Sequence, residues 1–139
     1  MKLLPIILLA LTVLIVTCQA EHPGTKCRRE FAIEEECINH CEYKHFGFTD
    51  DQFRIKKHHR ENFKNAMSHY GAIRKDQEGE LDKLLNRCAK KAKESPATSK
   101  RDKCYRIINY YRCVVVDNNL INYSVYVKAV TKINDSINV

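Results

Sequence analysis

Apolar positions recur at intervals of three and four residues along most of this chain, a period that predicts helices. Across residues 26–43, Cys27, Phe31, Glu34, Cys37, Ile38 and Cys41 follow that spacing and place the apolar and cysteine side chains on one helical face. Gly47, in HFGF, suits a helix end, and Thr49, Asp50 and Asp51 read as an N-cap cluster for a short helix. A further helix over residues 57–70 carries Phe63, Ala66, Met67 and Tyr70 at i, i+3, i+4 and i+7, and Gly71 ends it. Across residues 76–93, Leu81, Leu84, Leu85, Cys88 and Ala92 form an inward stripe. Pro96, in ESPATS, breaks this helix. Ser99 and Asp102 then have capping-box spacing, with Asp in place of Glu, for a fifth helical segment with Cys104, Ile107, Ile108 and Tyr111 inward. In residues 120–133, Tyr123, Val125 and Val127 alternate as a strand would, but helix is the reading adopted. The expectation is an all-α, compact bundle of about six helices in a single domain spanning residues 21–139.

The first twenty residues change the picture. MKLLPIILLALTVLIVTCQA has an early Lys2, an apolar run through Val16 and small or mildly polar residues to Ala20, the layout of a secretory signal peptide. The run is slightly short for a membrane span and no basic stop-transfer flank follows it, so residues 1–20 read as a cleaved leader. Cleavage removes Cys18 and turns seven cysteines into six: Cys27, Cys37, Cys41, Cys88, Cys104 and Cys113. In a secreted chain of this size six cysteines make three disulfides, with fifteen connectivities possible. Cys37 and Cys41 sit one helical turn apart and are poorly placed to bridge each other, and Cys104 and Cys113 are too far apart on one helix.

Charge narrows the function. Residues 21–139 hold 23 Lys and Arg against 17 Asp and Glu, and residues 87–106, with eight cations against Glu94 and Asp102, account for the whole excess. The chain therefore has a basic segment and is otherwise balanced. Lys100, Arg101 and Lys103 even occupy a first helical turn, where the helix dipole disfavours cations.

C-x3-C on an early helix with C-x8-C on a late one, in a secreted helical chain, resembles the insect odorant-binding protein superfamily. That resemblance implies the pairs Cys27–Cys41, Cys37–Cys104 and Cys88–Cys113. Only nine residues separate Cys27 from Cys37, fewer than the family's usual gap, so the first helix is truncated or merged, which weighs against an enclosed odorant pocket. HCEYKHFGFTDDQFRI, ENFKNAMSHYGAI, RCAKKA, YYRCVV and LINYSVYVKA look more narrowly like the small odorant-binding-like salivary proteins of blood-feeding sand flies. This resemblance implies a secreted anticoagulant that binds anionic polymers and surfaces and blocks contact activation of coagulation at the factor XII and factor XI steps.

A solvated helix face is the bland explanation of a charge run. Here two helices held by Cys88–Cys113 would instead present Lys83, Arg87, Lys90, Lys91, Lys93, Lys100, Arg101, Lys103 and Arg106 as a fixed polyanion-binding array. The expected partners are sulfated glycosaminoglycans, dextran sulfate or polyphosphate, with nucleic acid not expected outside the cell and no membrane span. No cofactor is called for. Cys37, His40 and Cys41, or His58 and His59, are the nearest thing to a metal set, but disulfides account for the cysteines and adjacent histidines point apart on a helix, so no metal is expected. With no free cysteine and no Gly-flanked serine elbow, and with Glu34, Glu35 and Glu36 read as a solvated helix face, the chain is not read as an enzyme. Tyr105, Tyr110, Tyr111, Tyr123 and Tyr126, with Val114, Val115 and Val116, read first as core; a pocket there for a small apolar or amine ligand is the alternative function. Asn122 and Asn134 head glycosylation sequons, and occupancy is expected at Asn134 ahead of Asn122, which would lie on a packed helix.

Overall fold

A computed structural model describes residues 20–139; residues 1–19 of the proposed leader, Cys18 among them, lie outside the described residues. Six α-helices make up the described chain: α1 (Pro23–Glu30), α2 (Ile38–His45), α3 (Lys57–His69), α4 (Glu78–Glu94), α5 (Lys100–Tyr111) and α6 (Tyr123–Ser136). Short 3-10 turns, Glu35–Cys37 and Lys75–Gln77, lead into α2 and α4, and a π-turn, Arg112–Val116, extends α5. No strand occurs among the described residues. The disulfides are Cys27–Cys41, Cys37–Cys104 and Cys88–Cys113, so the bundle is all-α and stapled three times.

Residues 26–43 do not share one helical face. The Cα atoms of Cys27 and Cys41 lie 5.7 Å apart, whereas a continuous helix would hold positions fourteen apart at about 21 Å. The chain therefore folds back after Glu30, and the spacing of Phe31 and Glu34 falls in the connection between α1 and α2. The first helix is indeed short, at eight residues.

Thr49, Asp50 and Asp51 do not start a helix either. The Asp50 carboxylate accepts from the backbone N–H groups of Gln52 and Arg54 and from the Arg54 guanidinium, which ties the segment into a turn. His40 donates through Nε2 to the Asp50 carbonyl, and Phe53, at a φ of +59°, stacks on the His40 ring with centroids 3.7 Å apart. The chain then runs extended to Lys56, whose N–H donates to Nδ1 of His59 and so caps α3.

Glycines end two helices as expected. At Gly47 and Gly71, φ is +75° and +73°, and paired bonds close each end: Phe48 and Gly47 N–H to the Tyr43 and Lys44 carbonyls, Ala72 and Gly71 N–H to those of Met67 and Ser68. The interior is built from Phe48, Phe63, Met67, Leu81, Leu85, Ile107, Tyr110, Val114 and Val115. On α5 the inward residues are Cys104, Ile107 and Tyr110, while Ile108 and Tyr111 are half-buried; the π-turn then shifts the register and carries Val114 and Val115 inside. The helical reading of the last segment holds, since Tyr126, Ala129 and Ile133 are buried on α6 and Tyr123 and Val127 are exposed.

Tyr43 and Tyr126 meet hydroxyl to hydroxyl at 2.8 Å in the core. Tyr43→Phe leaves the Tyr126 hydroxyl without that partner and lowers unfolding free energy by about 1–3 kcal/mol. Urea denaturation checks this, with the midpoint falling at an unchanged slope.

Candidate anion-binding surface

The apolar stripe of α4 buries Leu81, Leu84, Leu85, Cys88 and Ala92, which forces the polar positions between them outward. Lys83, Arg87, Lys90, Lys91 and Lys93 are all exposed, and no carboxylate interrupts residues 83–93. At 100° per residue, positions 83, 87, 90 and 91 fall within about 100° of arc, with Lys93 on the flank. Lys91 and Lys93 also lie in the last turn of α4, where the helix dipole favours cations. Lys90 reaches Glu94 at 3.9 Å, an exposed pair of little strength. Lys83, Arg87, Lys91, Lys93 and Lys103 enter no ion pair among the described residues.

Three residues of the expected array behave differently. Lys100 pairs with Glu34, and Arg101 pairs with Glu36 at 3.0 Å, with Glu36 itself only 19% exposed. The acidic run is exposed at Glu34 and Glu35, as expected, but it forms a 3-10 turn rather than a helix face. Its outer members lie against the start of α5, where Cys37–Cys104 fixes the approach, and they compensate two cations that the helix dipole disfavours. Arg106 is half-buried rather than displayed: Nη2 donates to the Ser95 carbonyl at 2.6 Å, and Nε is out of reach of solvent and meets no acceptor among the described residues.

The cations also divide over the surface. Lys83 and Arg87 stand beside Glu80 and residues 118–120, and Lys91 lies near the Cys88–Cys113 bridge. Lys90, Lys93 and Arg106 open onto a groove of about 440 Å³ whose far wall brings Arg54, Lys56 and Arg60. Those three were missed in the sequence. RIKKHHR is a basic cluster too, but a balance taken over the whole chain hides it, and only the turn at Asp50 and the packing of α3 on α4 bring it to the others.

Two carboxylates here hold their protons weakly. Burial raises the pKa of Asp50, but the backbone N–H and guanidinium of Arg54 and the N–H of Gln52 outweigh it and bring the group to about 2. Asp102 also falls to about 2, because the backbone and hydroxyl of Ser99 and the Thr98 side chain bond it as the N3 partner of a capping box; its own N–H donates to the Ser99 hydroxyl. Unfolded aspartate titrates near about 3.9. A depressed folded value means that stability is present above that figure and is lost as pH falls toward 2. Carboxyl NMR titration should give both midpoints near 2, and the turn at Asp50 and the start of α5 should loosen between pH 4 and 2 while the disulfides stay intact.

The remaining candidates resolve plainly. Cys27, Cys41 and His45 come within 4.8 Å of one another, but both sulfurs are in a disulfide and offer no thiolate to a metal. His58 and His59 do not point apart: their rings lie 3.9 Å from each other, and His59 is buried with Nδ1 occupied by the Lys56 N–H. Tyr110 and Tyr126 are core, Tyr111 packs on Tyr126 at 5.8 Å, and Tyr105 and Tyr123 are exposed, so the five tyrosines do not share a cavity. Asn122 is an exposed N-cap whose Oδ1 accepts from Ser124 and Val125. Asn134 is half-buried, with Oδ1 accepting from the Gly24 N–H at 2.7 Å. Glycopeptide mass spectrometry of the protein secreted by insect cells should therefore find a glycan at Asn122 ahead of Asn134, the reverse of the order expected when Asn122 was read as packed.

No helix among the described residues is long and apolar enough to cross a membrane. No family profile matches the chain. Over its whole length the chain is 35% identical to salivary protein 15b and 34% identical to salivary protein 15a, both of the sand fly Phlebotomus duboscqi, and each relative is covered completely. Ayaconin of Lutzomyia ayacuchensis is 30% identical over 95% of the chain and 90% of its own length.

Proposed function

Because the chain belongs to this family of sand fly salivary proteins, and is secreted into saliva, we propose that it is an anticoagulant that binds anionic polymers and surfaces and blocks contact activation at the factor XII and factor XI steps. One observation carries this reading: five exposed cations, uninterrupted by any carboxylate, on the outward side of a helix pinned by Cys88–Cys113. A fixed array has little ordering entropy left to lose when a polyanion lies along it. Each sulfate or phosphate neutralised releases condensed counterions, so binding weakens as salt rises. Arg87 offers a planar fork to an oxyanion, and the lysines act as point charges. Sulfated glycosaminoglycans, dextran sulfate and polyphosphate fit this chemistry, whereas nucleic acid, though chemically competent, is not the extracellular target.

The mechanism is competition. Protein lying on the surface denies it to the zymogens that assemble there, so no turnover is needed and the protein acts in proportion to the surface it covers. Kinship with the odorant-binding superfamily is part of the same proposal, and the three observed disulfide pairs, which that resemblance implies, support it.

The test is a comparison of two clotting triggers. Added protein should delay plasma clotting started by dextran sulfate and leave clotting started by thrombin unchanged. Delay of both, or inhibition of a soluble activated factor with no anionic surface present, would replace surface masking with direct contact to an enzyme.

A further inference from the structure

The groove between the turn at Asp50, α3, α4 and α5 has two properties that a polymer-binding face does not need. Its floor is apolar, made by Phe53 and Ile55 from the extended segment and by Ala89 and Ala92 from α4. Phe53 is held there at a left-handed φ of +59°, a conformation uncommon for a bulky residue, by the stacking on His40 and the turn at Asp50. Its rim is cationic, and no carboxylate lines it. Asp50 compensates Arg54 and Lys56 from behind, and Glu94 stands 3.9 Å from Lys90. Arg60 and Arg106 donate only to the neutral carbonyls of Ile55 and Ser95, and Lys93 enters no ion pair among the described residues, so these three charges are uncompensated. Arg106 adds a buried Nε donor without an acceptor. Such a donor is costly to leave unmet.

From this combination we infer that the groove is a binding site for a single-chain amphiphile with a phosphate head, the head seated among Arg60, Lys93 and Arg106 and the chain lying on Phe53, Ile55 and Ala89. Arg60 and Arg106 present guanidinium donors suited to a tetrahedral oxyanion. The apolar floor removes the first methylenes from water, and a volume of about 440 Å³ admits a ligand of this size rather than a whole lipid bilayer surface. The site overlaps the α4 array only at Lys90 and Lys93; Lys83, Arg87 and Lys91 lie off the groove and take no part in it.

Calorimetry of the full disulfide-bonded protein with inorganic phosphate and with butyl, hexyl and octyl phosphate as monomers tests the inference. Affinity should climb along the series by up to roughly fourfold per methylene until the floor is covered. Equal affinity for inorganic and octyl phosphate would overturn it, as would no binding of any of them. Ala89→Leu fills the floor without touching a charge and should remove the chain-length dependence. Since that variant borders the core, the exposed pair Lys56→Glu and Lys93→Glu supplies a second arm and should weaken octyl phosphate at least tenfold. Reversal of Lys83, Arg87 and Lys91 should leave octyl phosphate binding within twofold of the parent while weakening heparin, so failure of the groove and failure of the polymer reading give different patterns.

Discussion

Changing Lys83, Arg87, Lys90 and Lys91 together to glutamate should abolish retention on an immobilised sulfated polysaccharide at physiological salt. Each cation held near an anionic surface contributes about 1 kcal/mol, so losing four costs about 4 kcal/mol, or roughly a thousandfold in affinity, before the repulsion from four new carboxylates is added. All four side chains are exposed on one arc of α4 and none belongs to the core, so the variant should fold. Lys100 and Arg101 supply the internal control. Their charges are already met by Glu34 and Glu36, and reversing them should weaken retention less than tenfold although they belong to the same basic stretch of sequence. Equal losses per charge reversed, in free energy, would mean that net charge, rather than a displayed face, drives binding. Surface plasmon resonance on immobilised heparin separates these outcomes.

Replacing Cys37 and Cys104 by serine should be the most damaging of the three disulfide removals. Closing a longer loop takes more entropy from the unfolded chain: for sequence separations of 67, 25 and 14 the chain-entropy relation gives about 4.5, 3.5 and 3 kcal/mol. A domain of this size has only about 5–15 kcal/mol in all. Both sulfurs are fully buried, and the bridge also holds the Glu35–Cys37 turn against α5, so its loss should free Glu34 and Glu36 from Lys100 and Arg101. Urea denaturation of the three double-serine proteins should rank them in that order. A smaller loss from Cys37–Cys104 than from Cys27–Cys41 would contradict it.

Sequence reading succeeded where structure is local. The stripe of α4, the capping box of Ser99 and Asp102, and the glycines at 47 and 71 each follow from side chains within a turn or two of one another, and the structure has all three. It failed where distant segments decide. Cys27 and Cys41 fit a helical period, yet their bond requires the chain to turn back between them. Asp50 resembled a cap, but its carboxylate is satisfied by the two N–H groups just beyond it, and an extended segment results. The basic surface was half legible. Periodicity placed five cations outward on α4, but nothing local says that Glu34 and Glu36 neutralise Lys100 and Arg101, that Arg106 turns onto a helix end, or that Arg54, Lys56 and Arg60 complete a groove. Those facts depend on which helices become neighbours.

The central claim, a preformed cationic face for polyanions, is tested most directly by the salt dependence of heparin binding to the native protein. Log affinity should fall linearly with log salt, with a slope of about −0.7 for each contact and hence about −3 for the four or five cations of α4. A flat dependence, or no binding at physiological salt, would contradict the claim and leave the charges of α4 as a solvated face.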